Sequence, residues 1–152
     1  MEDKKVYENV LNIVCNRYFK LNDINRDFPD KNARDAELYK HHYEFEADLA
    51  NYLSDSQIEQ VKDGVTYGVV PKTYEAHLEM IPSLSEEEKL QILNWLKEAR
   101  EFAIDAENAK AKHAWFGKYK GRVNNWLSKR GYNLDVERKA WYKRIEEKKK
   151  NK

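Results

Sequence analysis

The stretch HAWFGKYKGR, His113 to Arg122, holds the residues of this sequence best equipped for chemistry. Trp115 and Tyr119 alternate there with His113, Lys118, Lys120 and Arg122, and Asn125 follows one turn later. Aromatic faces stack on the apolar faces of rings, while lysine, arginine and asparagine supply hydrogen bonds and pair with carboxylates. Tyr67, from the segment VTYGVVPKTY, joins them as a further ring. The candidate ligand site is therefore Tyr67, His113, Trp115, Lys118, Tyr119, Lys120, Arg122 and Asn125. Helical spacing divides this set. Lys118 and Arg122 lie four apart on one face, with Tyr119 on the adjoining stripe, so the residues cannot all face one pocket. Lys118 and Arg122 are expected to contact a ligand ahead of Trp115, with Tyr119 as a wall. Gly117 and Gly121 interrupt the helical pattern, each at a cost of about 1 kcal/mol relative to alanine. They call for a reason: close helix packing or close approach of a ligand. The competing interpretation makes Trp115 and Tyr119 core residues, the glycines packing devices and the bases solvated.

Other chemistries are thinly represented. GKYKG lacks the spacing and the Ser/Thr of a phosphate loop, and no nucleophile elbow, HExxH or dinucleotide fingerprint occurs. The adjacent His41 and His42 point about 100° apart on a helix, and with His77 and His113 they form no zinc pattern. No metal or cofactor is expected. His77 with Glu79 is a weak acid–base candidate. A lyase could draw a base and a carboxylate-binding cation from His113, Tyr67, Tyr119 and Arg122. Carboxylates are numerous enough that a glycosidase pair stays open. The single cysteine, Cys15, excludes an internal disulfide; set among Val10, Leu11, Val14 and Phe19, it is expected to be a buried apolar residue.

These residues must be positioned by helices. The 152 residues are 41% hydrophobic and 36% charged, with mean hydropathy −0.98, five glycines and three prolines. That composition and length fit one helical domain over residues 1–152, with a frayed tail at 147–152. No apolar run is long enough to span a membrane, and the charged start carries no export signal. Apolar periodicity predicts helices over about 5–22, 33–53, 57–62, 72–80, 85–106, 109–129 and 135–149, of which 57–62 and 72–80 are short. Residues 21–32, rich in Asn and Asp, read as a loop. Ser85 and Glu88 form a capping box, and Gly131 ends the following helix. Val65 to Pro71 is β-branched but has no strand to pair with, so it is expected to be an ordered, non-helical connector. The expected fold is all-α: an irregular bundle of about six helices, with Leu96 and Trp126 in its core.

The net charge of +1 hides an asymmetry. Residues 1–108 carry 13 Lys/Arg against 23 Asp/Glu, net −10; residues 109–152 carry 15 against 4, net +11. Either the basic part meets an anionic partner or the two parts compensate each other within the chain. Nucleic acid is disfavoured, since the acidic part would repel its backbone.

Leu53 to Ala106, with KDGVTYGVVPKTY, and Lys112 to Asp135, with KHAWFGKYKGRVNNWL, closely resemble the family called domain of unknown function 3826; RYFKLNDI and ARDAELY resemble it too. The resemblance covers about four-fifths of the chain. It implies sugar binding in polysaccharide-using bacteria and an extracytoplasmic location, and it supplies no catalytic residues to carry over. It also implies a further helix ahead of Val6, so the N-terminus is expected to be trimmed and the first helix to lack a packing partner. The function expected on these grounds is non-catalytic binding of a carbohydrate, an acidic one included, in bacterial glycan use. The rivals are a glycan lyase or hydrolase and a structural helical interaction module.

Overall fold

The structure is a computed structural model that describes residues 3–151; these form helices joined by short turns and links, with no strand among them. Seven helices follow in order: α1 (Lys4–Asp27), α2 (Lys31–Leu49), α3 (Asp55–Val65), α4 (Val69–Met80), α5 (Glu86–Ile104), α6 (Ala109–Lys129) and α7 (Leu134–Lys150). α7 continues into the stretch expected to fray, and Lys152 lies outside the described residues.

Side chains at the helix ends explain most boundaries. Ser54 with Gln57, and Ser85 with Glu88, form reciprocal capping boxes at α3 and α5, and Asn108 and Asn133 cap α6 and α7. After α6, Gly131 adopts φ 102° and the Tyr132 N–H donates to the Leu127 carbonyl, a Schellman ending that an L side chain at Gly131 would strain. Glu88 also accepts from Arg130 Nε at 2.8 Å and from the Tyr132 hydroxyl at 2.6 Å, tying the start of α5 to the end of α6.

Two expectations about local structure are corrected. α1 runs five residues beyond Asn22, because the apolar face that matters there is Leu21 and Ile24, both buried; their burial outweighs the loop preference of Asn and Asp. The connector is also shorter than expected. α3 runs through Gly64 to Val65; Thr66, Tyr67 and Gly68 turn the chain, and α4 already begins at Val69. Tyr67 (φ 62°) and Gly68 (φ 66°) are consecutive left-handed residues, which reverse the chain without a loop. Pro71 fits α4 because it falls in the first turn, where no backbone donor is needed. The all-α bundle thus has seven helices, one for each segment that the periodicity predicts, with a three-residue turn where a longer connector was expected.

The main core gathers α4–α7 around Ile92, Leu96, Ala99, Ala103, Val123 and Leu127, all with no exposed surface. A second cluster packs Val10, Phe45, Leu49, Leu53 and Ile58 of the first three helices and the segment joining α2 to α3 around Ile104 of α5. Leu96 is core as expected. Trp126 is only half-buried: it meets Trp95 edge-on at 5.3 Å, with the Arg130 guanidinium 5.0 Å over its ring. Cys15 is exposed, because the face of α1 that packs inward is that of Val10, Arg17, Leu21 and Ile24. His77 is buried and its Nδ1 bonds the Thr73 carbonyl at 2.9 Å, a bond within its own helix. No helix among the described residues is long and apolar enough to cross a membrane.

Candidate functional site

A groove of about 780 Å³ opens between α2 and the corner where α5 passes into α6. Its apolar walls are Leu38, Tyr39 and Tyr43 from α2, Phe102 from α5, and Ala111 and Trp115 from α6. Spacing explains the α2 wall. Phe45 and Leu49 are buried, while the stripe of Tyr39, Tyr43, Ala47 and Ala50 faces outward, with Tyr39 72% and Tyr43 63% exposed. Trp115 stacks on Phe102 with centroids 4.6 Å apart and planes 15° apart, which presents a flat double ring.

The polar lining is an ion-pair network. His42 Nδ1 donates to Asp105 at 2.6 Å, and its Nε2 lies 3.9 Å from Glu101. Asp105 also binds Arg17, which is 8% exposed and donates to the His41 carbonyl at 2.7 Å. Glu101 accepts from the buried Lys62 at 2.8 Å, and Lys62 reaches Glu46 at 2.9 Å. The hydrogen bonds to Asp105 and Glu101 hold the His42 imidazolium up to about 9. Burial pushes the Glu101 carboxyl up, but the hydrogen bonds from His42 and Lys62 prevail and bring it down to about 2. Near neutral pH the groove thus carries a fixed imidazolium beside a fixed carboxylate. The second oxygen of Glu101, Oε2, is buried without a partner. Beneath the corner, Lys112 is buried and its ammonium donates to the carbonyls of Ala103, Ile104 and Ala106, closing the C-terminus of α5; burial lowers its pKa.

Of the candidate residues, Trp115 alone lines the groove, with Lys118, Tyr119 and Arg122 next to it on α6. Lys118 Nζ lies 5.3 Å over the Trp115 ring. Tyr119 is buried, with the Arg122 guanidinium 4.5 Å over it; Arg122 also approaches the groove-lining Glu98 at 3.6 Å. Tyr67 and His113 stack on each other at 5.2 Å elsewhere, since His113 and Trp115, two residues apart, point to opposite sides of α6. The lyase set His113, Tyr67, Tyr119 and Arg122 is split by the same geometry. Lys120 and Asn125 are exposed on α6 and line no part of the groove. Tyr39, Tyr43, His42, Phe102, Glu101 and Asp105 were missing from the candidates. The one trace of them in the sequence was the second apolar stripe of α2, more apolar surface than one neighbour covers. No group of three His, Cys, Asp or Glu side chains that could hold a metal ion occurs among the described residues.

Gly117 and Gly121 meet nothing: a methyl group added at either finds no heavy atom within 4 Å. They do not serve packing within the chain. Gly117→Ala and Gly121→Ala are therefore each expected to stabilise the protein by about 1 kcal/mol, and by about 2 kcal/mol together, in urea unfolding. A loss of stability would show that the Cβ atoms are not accommodated.

Charge compensation between the two parts of the chain is slight. Arg122 with Glu98 and Arg130 with Glu88 cross between them, whereas Lys110, Lys118, Lys120, Lys129, Lys139 and Lys143 make no ion pair among the described residues.

The fold and groove together define an all-α protein with an aromatic groove over an ionised floor. The chain belongs to the family described as Protein of unknown function (DUF3826), whose model matches residues 28–147. That segment runs from α2 almost to the end of α7 and contains every groove residue except Asn25. No curated protein matches the chain.

Proposed function

We propose that the groove binds a carbohydrate and carries out no chemistry on it. The observation that supports this most is the pairing of aromatic walls, the exposed Tyr39, Tyr43 and Phe102 and the half-buried Trp115, with a floor of fixed charges. Sugar rings offer apolar faces to such walls and hydroxyls to such a floor. The lining holds Asp35, Glu98, Glu101, Asp105 and Glu107 against Lys31, Arg34 and His42. That balance favours neutral sugars; an acidic sugar would have to engage the rim, near Lys118 and Arg122. An accessory role in bacterial glycan use, outside the cytoplasm, belongs to the same proposal and follows from the family resemblance.

Hydrolysis is the second reading, favoured by five carboxylates in one groove. It calls for a carboxyl that holds its proton near neutral pH. Glu101 is pushed the other way and His42 is locked as a cation, so binding is preferred.

Isothermal titration of neutral gluco-, xylo- and manno-oligosaccharides, with oligogalacturonate alongside and product analysis of each mixture, tests the proposal. A neutral oligosaccharide is expected to bind intact, and Trp115→Ala and Tyr43→Ala are each expected to weaken it about tenfold. Cleaved products would favour the hydrolase. Binding that ignores both substitutions would place the site elsewhere.

A further inference from the structure

We propose that the outer face of α1 pairs, antiparallel, with α1 of a second copy of this chain. The groove has no part in this. α1 ends one residue before the segment matched by the family model.

The first observation is an unpartnered apolar stripe. Tyr7, Leu11, Cys15 and Phe19 recur every four residues on the side of α1 away from Val10, Arg17 and Leu21; Tyr18 borders this stripe but also turns inward, beside Arg17, Leu21 and Phe45. Tyr7, Leu11, Tyr18 and Phe19 are 53%, 47%, 45% and 66% exposed. Scattered exposed hydrophobes are ordinary, but these four crowd about 18 Å of one helix.

The second observation names the occupant. Beside the stripe run Lys5 and Glu8 near the start of the helix and Asp23 and Arg26 near its end. Lys5 and Asp23 are eighteen residues apart, as are Glu8 and Arg26, which is five whole turns. Each pair therefore occupies one angular position and carries opposite charges. In an antiparallel pair of identical helices the same flanks face each other. With the two-fold axis at Cys15, Leu11 stands level with Phe19 of the second copy, while Lys5 lies about 3 Å along the helix from its Asp23 and Glu8 about 6 Å from its Arg26, offsets that these long side chains span. A parallel pair would set this flank against the opposite one, which carries Tyr7, Val14 and Tyr18 and no charge. Within the chain, Lys5 and Glu8 make no ion pair among the described residues, and the pairs of Arg26 with Asp27, at 2.9 Å, and with Asp23, at 3.2 Å, are exposed and easily exchanged. Helix axes packed in this way lie 8–10 Å apart, so the two Cys15 side chains approach within reach of a short cross-linker.

The test is sedimentation velocity of the full chain over a concentration series, with a charge-reversal cycle. The wild type is expected to show a concentration-dependent dimer. Glu8→Arg sets like charges together twice per dimer and should weaken association about tenfold. The double variant Glu8→Arg/Arg26→Glu should restore association to within about threefold. Leu11→Glu/Phe19→Glu should be monomeric and should lose the Cys15 cross-link that a short bismaleimide forms in the wild type. A chain that stays monomeric up to about 1 mM, a dimer that survives Leu11→Glu/Phe19→Glu, or a double variant no better than Glu8→Arg would each overturn the proposal.

Discussion

Asp105→Ala is expected to lower the free energy of unfolding by about 3–5 kcal/mol. Asp105 is the single carboxylate that Arg17 holds, and Arg17 is nearly buried between α1, α2 and the end of α5. Its Nε already lacks a partner. Without Asp105 its charge keeps the His41 carbonyl and the Phe45 ring but no carboxylate, and an unpaired buried cation costs far more than the pair contributes. His42 loses its shorter bond in the same step. The pH profile separates these losses. His42 is raised from 6.5 to about 9, so its contribution is complete below pH 6.5 and fades as pH climbs through 9. Wild-type stability should therefore fall between pH 6.5 and 9.5, and Asp105→Ala should flatten that slope, because the bond to Asp105 is the largest cause of the shift. Urea unfolding at pH 6, 7.5 and 9 measures both effects. A loss below about 1 kcal/mol, or an unchanged slope, would mean that water takes over the role of Asp105.

The helices were legible where capping and periodicity agree. α6 falls on residues 109–129 as its sequence predicts, between an Asn cap and the Gly131 ending. α5 is read to within two residues at each end, because Ser85 and Glu88 announce its start. Where local preference and burial disagreed, the reading failed. LNDIN looks like a loop, yet Leu21 and Ile24 hold it helical; Val69 and Val70 look like strand, yet a left-handed pair at Tyr67 and Gly68 starts a helix under them. The groove was the hardest to see. Its residues come from four helices, and the bond from His42 to Asp105 spans 63 positions. Within HAWFGKYKGR the aromatic–basic mix was visible, but only a helix with known neighbours tells Trp115, which lines the groove, from Tyr119, which is buried.

Leu96→Ala is expected to cost about 3–5 kcal/mol, more than Trp126→Ala although tryptophan is the larger side chain. Leu96 has no exposed surface, and Ile92, Ala99, Val123 and Leu127 in the same cluster have none either. Two of these stand on α5 itself and two on α6, and both helices are pinned at their junction by Lys112 and at the far end by Glu88. The walls cannot close, so the cavity stays and its cost adds to the lost transfer energy. Trp126 stands at the edge of the same core. Its removal leaves Arg130 held by Glu88 with its chain free to lie over the gap, and water reaches the rest. In thermal melts Leu96→Ala should lower Tm by on the order of 10 °C, with Trp126→Ala clearly less affected. Equal losses would show that the edge between Trp95 and Trp126 is as rigid as the α5–α6 seam, and that exposure alone does not decide which contacts hold the two helices together.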